Sequence, residues 1–168
     1  MDEMKTLPSD IEKHLAAHLA LYKTDPERAH IWDSSVIGVP GPVRTLMLRT
    51  KGRKSGEDRY VTLQYFTPEG AYVVVGSKGG VAEHPAWFLN LLAEPACEIQ
   101  VAAMHAHARA RVAEGGERAR LWEAVSSEQR AYRAYQARTT RQIPIIVLEI
   151  KANDAGGPPA PRPTGGEG

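Results

Sequence analysis

Six short β-rich segments separated by turns constrain the fold of this 168-residue chain more than any other feature. Most are rich in β-branched or aromatic residues, whereas HAHARARVA alternates regularly instead, and both patterns are typical of strands. Most gaps between them are too short for a crossover helix, so we predict antiparallel pairing. The segments read RTLMLRT (44–50), RYVTLQYF (59–66), AYVVVG (71–76), EIQVA (98–102), HAHARARVA (105–113) and PIIVLEI (144–150).

Helical segments lie before and between these strands. The first is predicted over residues 9–23, because Ser9 or Asp10 can cap it and Pro26 stops it. A second begins near HPAWFLNLL and a third runs through GERARLWEAVSSEQ. Between the first helix and the first strand, residues 25–42 are rich in turn formers and predict an ordered loop or lid. The class is therefore α+β, with roughly six antiparallel strands curled into a small barrel and helices packed outside.

The chain is predicted to form one domain over residues 1–151. A hydrophobic content of 42% is sufficient for a single core of this size. Residues 152–168 read ANDAGGPPAPRPTGGEG, and such a Pro/Gly-rich segment lacks the apolar surface that would offset the entropy of ordering. We predict a disordered tail there.

Charge and cysteine content exclude several functional classes. The formal net charge is only +1, which argues against a nucleic-acid binder. Cys97 is the only cysteine, so a disulfide framework or a cysteine-rich metal site is excluded, and we predict no metal site at all. The amino-terminal segment has no apolar run typical of a signal peptide or a membrane span. These features favour a soluble cytoplasmic protein, with a peripheral membrane contact of the weakly amphipathic first helix as the less favoured alternative to packing on the barrel.

Positive charge is concentrated in residues 44–59, which contain six basic and two acidic side chains. The loop TKGRKSGEDR joins two predicted strands, and its glycines allow backbone N–H groups to turn toward a ligand. Phosphate or several carboxylates would suit such a loop. The alternative is a solvated basic hairpin turn, which is what charge runs in loops usually are.

A second stretch, GSKGG followed by HPAWFLNLLAEP, places paired glycines directly after a buried strand. Gly79 and Gly80 permit close approach to a flat ligand, and Trp87 and Phe88 offer aromatic surface at a helix start. The pattern by itself favours the plainer interpretation, a strand exit followed by core residues.

Four motifs in order, RTKGRKSGEDR, GSKGG, HPAWFLNLLAEP and AYRAYQARTTRQIPIIVLE, resemble the deazaflavin-dependent nitroreductase family, also described as coenzyme F-420-dependent quinone reductases. The resemblance covers roughly residues 30–150. It implies a split β-barrel related to flavin-binding reductases, which agrees with the strand pattern. It also implies a cofactor with a deazaflavin ring, a phosphodiester and an oligoglutamate tail.

The resemblance further assigns roles to individual residues. It implies cofactor binding by Arg53, Lys54, Ser55, Gly56, Arg59, Ser77, Lys78, Gly79, Gly80, Trp87 and Phe88. It implies donors to the reacting acceptor in Tyr132, Tyr135 and Ser77, and an acceptor pocket that includes Gln64 and Trp32. Some members carry aromatic residues at the positions of Gln64 and Gln129, so this chain has fewer aromatic donors.

The expected activity is hydride transfer from reduced coenzyme F-420 to an electron-poor small molecule, namely a quinone, a nitroaromatic compound or a conjugated enone. Two alternatives remain open at this point. The first is an FMN-binding split-barrel reductase, because the basic loop would also bind the FMN phosphate. The second is a non-catalytic protein that stores deazaflavin. A homodimer is a further expectation, since barrels of this kind often pair.

Overall fold

The computed structural model describes residues 6–151, and the predicted tail at 152–168 lies outside this range. All six predicted strands form, together with a two-residue strand at their start. The strands are β1 Ile31–Trp32, β2 Val43–Lys51, β3 Asp58–Gln64, β4 Tyr72–Val75, β5 Ala96–Val101, β6 Met104–Val112 and β7 Ile145–Ile150. The helices are α1 Ser9–Thr24, α2 Pro26–His30, α3 Ala86–Ala93, α4 Gly115–Glu128 and α5 Ala131–Ala137.

The strands form one antiparallel sheet with the order β1-β2-β5-β6-β7-β4. Strand β3 is not part of this series and pairs with β2, which also pairs with β5. Strands β3 and β4 therefore lie at opposite ends of the sheet, yet the bridge between Phe66 and Val73 brings these ends together. The sheet curls into the predicted split β-barrel. An open side remains between β3 and β4, next to that bridge.

Two apolar cores lie on opposite faces of β4 and β7, which explains why these strands are almost continuously apolar. Tyr72 and Val74 face the core that includes α3, and Val73 and Val75 face the core that includes α4 and α5. Substitutions in these strands therefore affect the packing of helices on both faces.

Helix α1 packs on the barrel, as predicted, and extends one residue beyond the predicted end. The predicted cap by Ser9 or Asp10 is wrong, because both residues lie inside the helix and Pro8 occupies the N-cap position. The buried Tyr22 of α1 donates a hydrogen bond to the carbonyl of Thr45 (2.8 Å) and accepts one from the N–H of Ala102 (3.0 Å). Pro26 does end α1, and Asp25 then caps the short α2 by accepting from the N–H of Arg28. Across residues 6–151, no helix has the length and apolar content needed to cross a membrane.

Residues 25–42 are ordered, as predicted, and contain more regular structure than a loop. They form α2, β1 and a 3₁₀ turn at Ser34–Ile37, in which Asp33 accepts from the N–H of Ser35. Gly41 lies close to Ser34, where a Cβ would meet the serine Oγ. The segment is thus a fixed wall next to β2 and β3.

Candidate active site

A cavity of about 650 Å³ lies at the open side of the barrel, where α1, the β2–β3 hairpin, β3, the end of β4 and α5 meet. Most residues that the motifs single out line it, although they come from segments far apart in the chain. These are Trp32, Arg53, Lys54, Ser55, Arg59, Gln64, Ser77, Lys78, Gly79, Trp87, Tyr132 and Tyr135. The structure therefore brings the basic loop, the glycine turn and the two tyrosines into one site.

The basic loop forms one end of this cavity, in a tight β2–β3 hairpin. The N–H of Gly52 donates to the carbonyl of Glu57, and the N–H of Gly56 donates to the carbonyl of Gly52, both at 2.7 Å. Gly56 has a φ of +74°, which only glycine adopts without strain. The loop is therefore an ordered turn held by its own backbone.

Arg53 is held by a neutral partner. Asn90 of α3 accepts hydrogen bonds from the backbone N–H and from Nη1 of Arg53, both at 3.1 Å, and donates to Oγ1 of Thr50. Asn90 is buried, so its amide is a fixed acceptor. Because an amide carries no charge, these bonds orient the guanidinium without neutralising it. A fixed, uncompensated guanidinium is suited to binding an anion.

The remaining cations of the loop divide into paired and unpaired groups. Lys51 forms an ion pair with Asp58 at 2.6 Å, and Arg49 pairs with Glu98 at 2.7 Å; neither lines the cavity. Arg59 is 3.5 Å from Glu57. Within residues 6–151, Arg53 and Lys54 have no carboxylate partner. These two cations of the loop are therefore available to an anionic ligand in the cavity.

The glycine turn, which we call the ring-side loop (residues 76–84), borders the middle of the cavity. It contains a 3₁₀ turn at Lys78–Gly80, with positive φ angles of 43° at Lys78, 64° at Gly79 and 81° at Gly80. A Cβ on Gly80 would lie 2.6 Å from the carbonyl oxygen of Tyr135. The glycine thus allows the ring-side loop and α5 to approach each other closely.

Two tyrosines of α5 face the far part of the cavity. Tyr132 is 7% exposed, and burial, together with the nearby Tyr135 and Glu128, raises the pKa of its phenol well above the ordinary value. Burial also raises the pKa of Tyr135. Neither hydroxyl is hydrogen-bonded within residues 6–151. Both phenols therefore stay protonated at neutral pH and can donate to a ligand.

Gln64 and Gln129, which we expect to replace aromatic residues of some family members, contact each other. Nε2 of Gln129 donates to Oε1 of Gln64 (3.1 Å) and to the carbonyl of Pro40 (3.0 Å). Gln129 is buried and links the end of α4 to Pro40 in the wall formed by residues 25–42. This bond orients the Gln64 amide at the cavity edge.

Trp32 lines the cavity in a stack with His18 of α1, with ring centroids 4.3 Å apart. His18 contacts Oγ1 of Thr62 and the carbonyl of Ala29, both at 3.0 Å. Burial lowers the pKa of His18, an effect that the hydrogen bond to Ala29 partly opposes. The histidine therefore serves as a packed structural group, and the residues of the described chain contain no cluster of three metal-ligating side chains.

Three residues of the motifs do not line the cavity. Phe88 is buried in the core that includes α3 and contacts His84 and Trp87. Gly56 and Gly80 supply backbone conformation, in the hairpin and beside α5. In this structure the three residues shape the walls of the cavity, and their contact with a ligand stays a prediction.

Sequence patterns missed Asn90 and Arg141 as site residues. Asn90 is the single amide in the apolar helix AWFLNLLA, and that isolation is a signal that a specific polar partner exists. Arg141 hydrogen-bonds the ring-side loop from a segment just before β7. No local pattern predicts that contact, because the partners lie about 60 positions earlier.

Fold and site together define a class, the split-barrel oxidoreductases that bind a flavin-like ring with an anionic tail. The family model described as F420H(2)-dependent quinone reductase matches residues 27–150. The chain belongs to this family.

Individual relatives agree with this assignment. An F420H(2)-dependent quinone reductase of Mycobacterium tuberculosis is 37% identical over 113 residues, which are 66% of this chain and 76% of that protein. A solved structure described as an F420-H2 dependent reductase is 36% identical, with a TM-score of 0.58, and covers 62% of this chain and 93% of its own. Another, described as a domain-swapped dimer, is 28% identical with a TM-score of 0.60 over 82% of this chain and 99% of that chain.

The residues present suit coenzyme F-420. The cavity is of the size that small-molecule ligands occupy and is mostly apolar. Three of its cations, Arg53, Lys54 and Lys78, have no carboxylate partner within residues 6–151. The first two belong to the basic hairpin and are complementary to an anionic tail, whereas the protonated phenols come from α5. An elongated ligand with a charged tail and a flat polar head matches this arrangement.

Proposed function

We propose that this protein binds reduced coenzyme F-420 in the cavity and transfers hydride to a quinone. The observation that carries the proposal is the guanidinium of Arg53, fixed by the neutral Asn90 and not compensated by any carboxylate of the described chain. A protein gains little stability from holding an uncompensated cation in place, whereas a polyanionic ligand gains affinity from it.

In this proposal, Arg53 and Lys54 bind the phosphodiester and the glutamate carboxylates, and Arg59 and Ser55 contribute at the hairpin. The ring lies against the ring-side loop, near Ser77 and Lys78. Trp87 of α3 contributes apolar surface to the same wall. This orientation follows from matching the charged end of the ligand to the charged end of the cavity.

When bound, a reduced deazaflavin would supply hydride, as a two-electron donor, to the acceptor. The quinone oxygen gains negative charge as hydride arrives, so a donor aimed at it lowers the barrier. Tyr135 is our candidate for this donor, and Tyr132 and Ser77 are further donors around the site. Burial raises the pKa of each tyrosine, so both phenols are protonated at neutral pH and can donate a hydrogen bond.

The test is a fluorescence titration of the purified protein with coenzyme F-420 and, in parallel, with FMN, at two salt concentrations. We expect salt-sensitive binding of coenzyme F-420. The double variant Arg53→Gln with Lys54→Gln should weaken it by about 100-fold or more, because each charge-assisted hydrogen bond contributes about 1.5–3 kcal/mol.

Lys51→Gln is the matched control, because Lys51 belongs to the same loop but pairs with Asp58 outside the cavity. It should leave the affinity within about twofold, as expected for a surface ion pair. Equal loss in the control and the double variant would contradict the assignment of the basic end. Preference for FMN would contradict the cofactor, and binding without quinone-dependent oxidation of the reduced coenzyme would favour a storage protein.

A further inference from the structure

Arg141 uses all three nitrogens of its guanidinium on the ring-side loop. Nε donates to the carbonyl of Val81 (3.0 Å), Nη1 to that of Gly76 (3.0 Å), and Nη2 to that of Ser77 (2.7 Å). Nη1 also faces Nδ1 of His84 at 3.1 Å. A planar guanidinium with five N–H groups is the side chain best suited to joining several acceptors in one fixed geometry.

Arg141 is itself fixed to the helix that carries the tyrosines. Gln136 of α5 donates from Nε2 to the carbonyl of Arg141 (2.8 Å), and its Oε1 accepts from the N–H of Ile143 (2.9 Å). Thr139 also accepts from the N–H of Arg141. The guanidinium therefore links the ring-side loop to α5.

The carbonyl contacts have a consequence for the opposite side of the loop. In a trans peptide the C=O and the following N–H point in opposite directions. Because the carbonyls of Gly76 and Ser77 point to Arg141, the N–H groups of Ser77 and Lys78 point away from it. Neither N–H is hydrogen-bonded within residues 6–151, and both residues line the cavity.

We propose that Arg141 is a positioning residue that orients the Ser77 and Lys78 peptides, so that their paired N–H groups face the cavity as donors for the polar edge of the cofactor ring. Two adjacent backbone N–H groups form a concave site for an oxygen that carries partial negative charge. Arg141 does not touch the ligand in this proposal. The proposal rests on the proposed function for the identity of the ring, and on geometry alone for the orientation of the loop.

The positive φ angles in the loop explain why an external clamp is needed. Lys78 has a φ of 43°, a conformation that non-glycine residues rarely adopt and that costs about 1 kcal/mol or more. Three hydrogen bonds from one charged group offset such a cost. Without them, we expect the Ser77–Lys78 peptide to leave this conformation.

The experiment compares Arg141→Gln and Arg141→Lys with Arg138→Gln. Arg138 is a matched control because it is exposed and reaches the same loop through one long contact, 3.4 Å to the carbonyl of Gly79. Hydrogen–deuterium exchange of residues 76–84 is measured without ligand. We expect it to be at least tenfold faster in both Arg141 variants and unchanged in the control, since the donors of lysine lie on one nitrogen and cannot reproduce the planar, three-nitrogen geometry that reaches these carbonyls.

A second measurement uses two probes. The deazaflavin riboside, which lacks the phosphate and glutamate tail, reports on the ring end, and inorganic pyrophosphate reports on the basic end. We expect the riboside to bind at least tenfold more weakly to both Arg141 variants, and pyrophosphate to bind equally to all proteins. A merely structural role would weaken both probes together.

The outcomes separate this inference from the proposed function. If the unmodified protein binds no deazaflavin, the proposed function fails, whereas the exchange result still decides how the loop is held. Unchanged exchange in Arg141→Gln, full rescue by lysine, or equal loss of both probes would overturn the inference. Failure of both Arg141 variants to fold would also overturn it, because Arg141 would then sustain the whole fold rather than this loop.

Discussion

At the scale of single residues, the site combines groups whose usual partners are missing. Arg53 is bound by an amide where a carboxylate would neutralise it, and the Tyr132 and Tyr135 hydroxyls are not bonded within the described part of the chain. Arg53 is exposed to solvent, so its charge adds little to stability but is available to an anion. The concentration of such groups along one cavity is therefore better explained by binding than by stability.

The role of Tyr135 is testable by removing only its hydroxyl. We expect Tyr135→Phe to lower the turnover of quinone by about 10- to 100-fold, within the range for a lost proton or hydrogen-bond donor, and to change cofactor affinity by less than twofold. Stopped-flow oxidation of the reduced coenzyme measures the first quantity and titration the second.

Tyr72→Phe is the control for this experiment, because Tyr72 is also a buried tyrosine of raised pKa but does not line the cavity. Its turnover should match that of the unmodified protein. If Tyr135→Phe lost cofactor affinity and kept its turnover, the assigned division of roles between α5 and the basic loop would be wrong.

At the scale of elements, the close approach of the ring-side loop and α5 depends on Gly80. Its φ is +81°, and an added Cβ would lie 2.6 Å from the Tyr135 carbonyl oxygen. Gly80→Ala should therefore lower the free energy of unfolding by about 2–4 kcal/mol, from backbone strain together with overpacking. Urea unfolding measures this change.

Gly70→Ala separates the two contributions. Gly70 has a similar φ of +77°, but nothing lies within 4 Å of its added Cβ. Its cost should be limited to backbone strain, about 1–2 kcal/mol. Equal costs at the two positions would show that the loop and α5 can separate freely, which is the opposite of what we expect.

At the scale of the whole molecule, stability should depend on mildly acidic pH through three histidines. Burial lowers the pKa values of His18, His30 and His84 below the ordinary 6.5. The unfolded chain then binds more protons than the folded one as pH falls below 6.5, so stability is full above that pH and is lost on acidification. The carboxyl groups whose pKa values are lowered titrate below 4.5 and affect a separate window.

Urea unfolding at pH 8 and pH 5.5 measures this dependence. His18 is the most buried of the three, at 3% exposure. We expect His18→Gln to be less stable at pH 8 and to lose less stability between the two pH values than the unmodified protein. A pH dependence identical in the two proteins would show that His18 keeps an ordinary pKa in the fold.

The sequence predicted the six long strands and helices α1, α3 and α4, because these depend on neighbouring residues, whereas the short helices α2 and α5 were not predicted. The alternation in HAHARARVA predicts that Ala106 and Ala108 share one face of the strand, and both are buried in the structure. The contacts of Asn90 and Arg141 could not be predicted in this way. They join positions 37 and about 60 apart and exist only once the barrel has closed.

The position of β3 and β4 at the two ends of the sheet has a consequence for how such a protein can change over evolution. Both strands are ends of the sheet, so each has a full ladder of partners along one side only, and the cavity lies between them. The side chains of β3 that line the cavity can be exchanged with little effect on the hydrogen bonds of the interior strands. New acceptor preferences can therefore arise at this seam while the cofactor end and the barrel remain as they are.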